Sequence, residues 1–144
     1  MEILIVVFVI LSLIGSFSFL KPSKKMKALS VIRFQASKEG FKIGSTSALR
    51  KKFKSWTPQV AIYQIKNDSA YKDLHYLRQG DALHLYSPMS LKYDQKFLKA
   101  ENKFLSLPDS ILEIIFFQSN IAIVWNEMQG FEELLKINTA ILNI

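Results

Sequence analysis

The chain has 144 residues, of which 49% are hydrophobic and 22% charged, and its formal net charge is +7. This length leaves room for one small domain. The sequence has no cysteine, which excludes disulfides, thiolate catalysis and cysteine-ligated metals. The positive charge is concentrated in residues 21–54, which hold 11 lysines and arginines and one acid, Glu39.

The first predicted element is an uncharged apolar run over residues 3–20. As a helix it would span roughly 27 Å, which is sufficient for the hydrocarbon core of a bilayer. The acidic Glu2 precedes this run, and the bulky Phe19 and Leu20 end it, whereas a cleaved secretory signal begins with basic residues and ends in small ones. Residues 1–20 are therefore predicted to form an uncleaved, single-pass transmembrane anchor.

Several lysines follow the apolar run directly, whereas no basic side chain precedes it. By the positive-inside rule, this asymmetry predicts that the N-terminus lies outside the cell (inner) membrane and that the following domain is cytoplasmic. The lysines expected to contact the membrane surface or a partner are Lys21, Lys24, Lys25 and Lys27.

Residues 21–40 are predicted to form a basic, amphipathic juxtamembrane helix. Met26, Leu29, Ile32 and Ala36 recur at helical spacing, and Gly40 is a suitable end. Two roles stay open for this helix, namely packing on the domain that follows and lying along anionic headgroups.

Residues 41–144 have the pattern of an α+β domain. Strand-like runs rich in branched and aromatic residues are found at 41–44, 59–66, 72–78, 82–86, 111–117 and 121–125. The last two runs are apolar on both faces, which predicts a central hairpin. We expect a largely antiparallel sheet of about six strands with two helices covering one face.

The two covering helices are predicted from capping patterns. One would begin at Pro88 after the N-cap Ser87 and reach Leu105. Its buried face would comprise Tyr93, Phe97, Ala100 and Phe104. The final helix would be capped by Asn126, with Gln129 in the reciprocal position. Its buried stripe would comprise Phe131, Leu134, Leu135, Ile141 and Leu142.

The search for reactive motifs predicts a non-enzymatic protein without metal or cofactor. His75 and His84 lie on the two arms of a predicted hairpin around Gly80-Asp81, but a zinc site needs three or four ligands, so we interpret both as surface strand residues. Asn67-Asp68-Ser69 matches a glycosylation acceptor and is interpreted as an ordinary turn. The sequence contains no phosphate loop, dinucleotide fingerprint or nucleophile elbow.

The most distinctive local feature is the basic–aromatic segment, residues 50–56. Its candidate contact residues are Arg50, Lys51, Lys52, Lys54 and Trp56. Cations beside aromatic rings can contact anionic lipid headgroups or a protein partner, or hold nucleic acid by phosphate contact and stacking. The remaining alternative is a solvated loop between strands. An anchor would keep this segment close to a negative leaflet, which favours a membrane or protein partner over nucleic acid.

The order of these features resembles that of small single-pass inner-membrane proteins of proteobacteria. The basic, proline-containing juncture Lys21-Pro22-Ser23-Lys24-Lys25-Met26-Lys27 after an apolar run is similar to the start of the preprotein translocase accessory subunit (the YajC family). The likeness covers residues 3–40. The glycine-rich strand segment of that family is missing here, and the resemblance assigns no functional residue.

Taken together, the sequence predicts a membrane-anchored, non-enzymatic accessory or interaction module that supports a membrane protein complex. Its expected partners are the lipid bilayer and a membrane protein. The alternative is a peripheral binder of anionic lipid or nucleic acid that acts through the basic–aromatic segment.

Overall fold

The computed structural model describes residues 1–44, 46–58, 60–127 and 130–143. These form two compact units, Met1–Val31 and Ile32–Ile144. The helices are α1 (Glu2–Phe19), α2 (Lys24–Lys38), α3 (Ser47–Arg50), α4 (Gln95–Phe104) and α5 (Phe131–Leu142). The strands are β1 (Lys42–Ile43), β2 (Ala61–Lys66), β3 (Leu74–Gln79), β4 (Ala82–Ser87), β5 (Ile111–Phe116) and β6 (Asn120–Trp125).

The first unit contains α1, in which no residue is buried. Within the described residues, α1 is the helix that is long and apolar enough to cross a membrane. The hydroxyls of Ser12, Ser16 and Ser18 donate to carbonyls four residues earlier, at 2.9, 2.8 and 3.0 Å. These bonds satisfy the hydroxyl donors of the three serines within the helix itself.

The second unit begins within α2, whose C-terminal part carries the fully buried Ala36. Gly40 has a φ of +91°, and the N–H of Phe41 donates to the carbonyl of Ala36 at 3.0 Å. Glycine adopts this left-handed conformation without a Cβ clash, so the chain can turn back over the end of the helix. Gly40 thus ends α2 as predicted.

The sheet of the second unit has the strand order β1-β2-β6-β5-β3-β4, and every described strand pair is antiparallel. This arrangement confirms the α+β prediction. The β5–β6 hairpin is central and buried on both faces, as its apolar sequence predicted.

Two hydrophobic cores lie on opposite faces of this sheet because successive strand residues point to opposite sides. The larger core contains Tyr63 and Trp125 from the strands and receives Phe104 from α4 and Ile137 from α5. The smaller core contains Ile62, Ile115, Ala122 and Val124 and receives Phe53. Helices α4 and α5 therefore cover one face, and part of residues 46–58 packs on the other.

The helix predicted from Pro88 to Leu105 is interrupted. A single 3₁₀ turn occupies Met89–Leu91, and α4 begins only at Gln95. The carboxylate of Asp94 accepts the N–H of Lys96 at 2.9 Å and so caps a new helix inside the predicted one. Tyr93 precedes this cap and is 84% exposed, so its predicted burial was wrong.

The final helix also differs from its prediction. It begins at Phe131 after the N-cap Gly130, not after Asn126, and the predicted capping residue Gln129 lies outside the described residues. Leu134 and Ile141 are buried as expected, whereas Leu135 and Leu142 are exposed. Ile137 takes their place in the core because it lies one turn after Leu134 on the same face.

Candidate functional site

The basic–aromatic segment begins at the end of α3 and continues along the sheet face that carries the smaller core. Thr46 caps α3 by accepting the N–H of Leu49 on its hydroxyl at 3.3 Å. Phe53 is buried in the smaller core, and Trp56 packs against that core while staying half-buried. The aromatic side chains of the segment therefore attach it to the sheet.

The cations of the segment lie on its solvent side. Arg50, Lys51, Lys52 and Lys54 are all exposed. Within the described part of the chain, none of the three lysines takes part in an ion pair. The structure thus brings Arg50 beside Trp56 and leaves Lys51, Lys52 and Lys54 exposed along the same short segment. In contrast, Lys21, Lys24, Lys25 and Lys27 belong to the first unit and are exposed there.

Aromatic rings lie under three of these cations. The guanidinium of Arg50 lies 5.0 Å from the ring centre of Trp56, and the ammonium of Lys52 lies 4.9 Å from that of Phe117. The ammonium of Lys54 lies 5.9 Å from the ring of Tyr86. A cation over a ring face is held at about 0.5–1 kcal/mol at exposed sites, which restricts its motion without neutralising its charge.

A buried carboxylate fixes the backbone of the segment. Glu113 on β5 is fully buried, and both of its oxygens accept the N–H of Lys54 at 3.0 Å. One of these oxygens also accepts the N–H of Ser55 at 2.8 Å and its hydroxyl at 2.6 Å. The imidazole Nε2–H of His75 on β3 donates to the other.

These bonds decide the charge state of Glu113. Burial alone would raise the pKa of this carboxyl, but the bonds from His75, Ser55 and the backbone of Lys54 outweigh burial and lower it. The carboxylate is therefore ionised at neutral pH and stabilised by charge-assisted bonds. It connects the basic–aromatic segment to two strands of the sheet.

Glu113 reaches this face because of a β-bulge. The pairing of β5 with β6 shifts between Ile111 and Glu113, so that Leu112 is an extra residue. Both Leu112 and Ile115 pack against the smaller core, and Glu113 shares their face, whereas Ile111 belongs to the larger core. The bulge thus overrides the simple alternation of side chains along the strand.

A second buried carboxylate connects α2 to the sheet. Glu127 accepts the hydroxyl of Tyr63 at 2.6 Å and two bonds from the guanidinium of Arg33 at 2.7 and 2.8 Å. The bonds from Glu127 raise the pKa of Arg33 despite its partial burial. Burial and the hydrogen bond to Glu127 raise the pKa of Tyr63 far above its ordinary value, so its hydroxyl remains a donor.

The two histidines occupy different environments: the prediction of a surface residue was wrong for His75, whereas the side chain of His84 is 43% exposed, as predicted. The side chain of His75 is only 12% exposed and bonds Glu113. His84 Nδ1 lies 3.5 Å from the carboxylate of Glu101. Their cross-strand partners are Ser87 and Leu77, so they do not face each other as a pair. Over the described ranges, no group of three His, Cys, Asp or Glu side chains could hold a metal ion.

The tripeptide Asn67-Asp68-Ser69 forms a hydrogen-bonded turn. Asn67 is buried, and its amide nitrogen donates to the carbonyls of Tyr71 at 2.8 Å and Phe117 at 2.7 Å. Its amide oxygen accepts the N–H of Ser69 at 3.0 Å. The side chain therefore serves to shape the chain between β2 and β3.

Sequence reasoning missed Glu113 as an attachment point, and it missed the lysines Lys42 and Lys66, which the sheet brings to the same face. Glu113 could have been found from one signal, since it is an acid inside the otherwise apolar strand Ile111–Phe116. Lys42 and Lys66 are separated by 24 positions and give no local pattern.

No family model, no curated protein and no solved structure matches this chain.

Proposed function

We propose that this protein is a membrane-anchored, non-enzymatic accessory module that binds an acidic surface of a membrane protein through its basic–aromatic segment. The observation that carries the proposal is the attachment of that segment. Phe53 and Trp56 pack on the sheet, Glu113 binds the backbone, and Arg50, Lys51, Lys52 and Lys54 face solvent. A surface that is already ordered loses little conformational entropy when it binds a partner.

The anchor supports binding at a membrane. Helix α1 could cross a bilayer by its length and composition, with Glu2 before it and lysines after it. In the proposed topology the N-terminus lies outside the cell membrane and the second unit is cytoplasmic. A segment tethered close to the bilayer meets a membrane partner at a high effective concentration, so a modest intrinsic affinity suffices.

The topology can be tested without background because the chain has no cysteine. Asn102→Cys on the exposed side of α4 introduces a single thiol in the second unit. A membrane-impermeant maleimide should leave this thiol unlabelled in intact cells and label it after permeabilisation. Labelling in intact cells would place the second unit outside and reject the proposed orientation.

The partner is tested by crosslinking in membranes followed by affinity purification of the full-length chain. The test variant replaces Arg50, Lys51, Lys52 and Lys54 by glutamine. The matched control replaces by glutamine four exposed lysines on α4 and α5, the helices that cover the opposite face of the sheet, namely Lys96, Lys99, Lys103 and Lys136.

A stoichiometric membrane protein should be crosslinked to the native chain and to the control, and lost from the test variant. Recovery of the partner with the test variant at the level of the control would show that the segment is not the contact. Repeated recovery of the chain alone would count against an interaction module altogether.

A second candidate function is direct binding of anionic lipid headgroups by the same segment. The outward direction of the four cations favours it, since each cation near an anionic bilayer contributes about 1 kcal/mol. Nucleic acid is less favoured, because the rings of Phe53 and Trp56 pack on the sheet, whereas single strands stack their bases on free rings. Salt-sensitive co-sedimentation with phosphatidylglycerol vesicles that persists in the test variant would remove this candidate.

A further inference from the structure

A polar groove of about 510 Å³ lies at the end of β2 and β6, and it is lined in part by two lysines. Lys42 and Lys66 lie in it beside Gln64, Asn120 and Ser119. The strand register explains their proximity, since Lys42 pairs with Gln64 and Lys66 pairs with Asn120. Both lysines are thus direct cross-strand neighbours of an amide side chain.

The two amides form an ordered floor for this groove. The amide nitrogen of Asn120 donates to the side-chain oxygen of Gln64 at 2.9 Å. In turn, the amide nitrogen of Gln64 donates to the carbonyl of Gly44 at 3.3 Å. Each amide nitrogen carries two hydrogens, so each retains one that a ligand oxygen can accept. The hydroxyl of Ser119 adds another polar group at the rim.

A neighbouring depression of about 330 Å³ shares Gln64 and Asn120 and adds a third lysine, Lys52. The ammonium of Lys52 is held over the ring of Phe117, which also lines this depression. Three lysines therefore surround the amide pair. The carboxylate of Asp68 forms an ion pair with the ammonium of Lys66 at 2.7 Å. Both side chains are more than half exposed, and an exposed pair of this kind contributes little to stability.

We infer that this lysine groove, formed by Lys42, Lys66, Gln64 and Asn120, binds a phosphate-bearing group. A phosphate presents several negatively charged oxygens, which match ammonium groups as counter-charges and amide N–H groups as hydrogen-bond donors. The volume of the groove lies within the range of small-ligand sites. A lipid phosphate headgroup and a soluble phosphate ester carry the same recognition chemistry.

The lysine groove is a site of its own beyond the proposed function. No residue of the basic–aromatic segment lines the groove, and Lys52 lines only the neighbouring depression. The floor of the groove comes from β2 and β6 rather than from the segment. Loss of partner binding by the segment would leave the groove intact, so the two proposals can fail separately.

The test measures chemical protection of lysines in the full-length protein. The chain is reconstituted into phosphatidylcholine nanodiscs, and acetylation rates of individual lysines are measured by mass spectrometry with and without glycerol 3-phosphate. A parallel sample uses nanodiscs of equimolar phosphatidylcholine and phosphatidic acid. Lys99 and Lys103 serve as internal reference lysines because they are exposed and lie on α4, which packs against the larger core on the other face of the sheet.

Relative to the rates of the reference lysines, the acetylation rates of Lys42 and Lys66 should fall at least about threefold when the probe is present. A fall of this size corresponds to most sites being occupied. Protection by glycerol 3-phosphate identifies a soluble phosphate ester as a ligand. Protection only in the phosphatidic acid nanodiscs identifies a lipid headgroup. No selective protection in either sample overturns the inference.

A variant pair provides the second measurement. Lys42→Gln with Lys66→Gln should weaken binding of whichever probe protects the groove by at least about tenfold, a difference near 1.4 kcal/mol. Lys99→Gln with Lys103→Gln removes the same charge and should bind as the native chain does. An equal loss in both variants would show general attraction to net charge and overturn a discrete site. Replacement of Arg50, Lys51 and Lys54 by glutamine should leave protection of the groove unchanged.

Discussion

Replacement of Glu113 by glutamine is the sharpest test of how the basic–aromatic segment is attached. The native carboxylate is fully buried and accepts from the backbone of Lys54, the backbone and hydroxyl of Ser55, and the imidazole of His75. Glutamine has nearly the same shape, but it keeps one acceptor oxygen and turns the other into an NH₂ donor. That donor would face groups that are themselves donors.

The magnitude follows from the number of bonds lost. A hydrogen bond to an ionised group contributes about 1.5–3 kcal/mol net, and glutamine can keep only about half of the bonds. We expect the free energy of unfolding to fall by about 3–4 kcal/mol, similar to the cost of breaking a buried ion pair. The free energy of unfolding falls by about 1–3 kcal/mol per molar urea, so the urea concentration at the midpoint of unfolding should fall by about 2 M.

Two tryptophans allow this change to be followed at two places. Trp125 is fully buried in the larger core, whereas Trp56 lies in the segment. Urea titrations of the full-length protein in detergent, with and without a Trp56→Phe background, separate the two fluorescence signals. In Glu113→Gln, the signal of Trp56 should change at a lower urea concentration than the signal of Trp125.

The control is Glu39→Gln, because Glu39 is exposed and substitutions of this kind usually change stability by less than about 0.5 kcal/mol. If Glu113→Gln were as stable as Glu39→Gln, the carboxylate would not hold the segment. If both tryptophans changed together, Glu113 would support the whole sheet rather than the segment in particular.

The same contacts can also be probed by acid and by substitutions at Tyr63, Arg33 and Phe53. Because the pKa of Glu113 is lowered, its contribution to stability is complete above the ordinary pKa of 4.5 and is lost as the pH falls below that value. Acid titration should therefore separate Trp56 from the sheet in the native chain but change Glu113→Gln much less. Tyr63→Phe removes one bond to Glu127 and should lower the free energy of unfolding in urea by about 1 kcal/mol. Arg33→Met leaves that buried carboxylate without its cation and should lower it by about 2–3 kcal/mol. Equal losses would refute the larger contribution of Arg33. Phe53→Ala empties part of the smaller core and should lower the free energy of unfolding by about 3 kcal/mol, with Trp56 exposed at a lower urea concentration than Trp125. A loss below about 1 kcal/mol would show that Phe53 does not attach the segment to the sheet.

The central hairpin was predictable because its residues leave little choice. Ile111–Phe116 and Asn120–Trp125 are apolar at nearly every position, so only a strand pair covered on both faces can bury them. The end of α2 was predictable for a similar reason, since Gly40 adopts a conformation that other residues rarely adopt.

The attachment of the segment could not be derived from local pattern. Strict alternation places Glu113 on the face of Ile111, and only the bulge, which depends on pairing with β6, moves it to the other face. The start of α4 was missed because Ser87-Pro88 and Asp94 are both acceptable caps, and the choice between them depends on tertiary packing. Lys42 and Lys66 meet through the register of three strands, which spacing along the chain does not encode.

The binding of Glu113 to backbone N–H groups has a consequence for how this surface can change over evolutionary time. Backbone amides are present whatever side chain position 54 carries, and Ser55 contributes its hydroxyl in addition. Substitutions at Arg50, Lys51, Lys52 and Lys54 can therefore alter the charge of this surface while the carboxylate keeps its hydrogen bonds to the backbone. Surface charge and folding stability can thereby change independently. Under the proposed function, a few point mutations in one short stretch would be enough to give the chain a new binding preference.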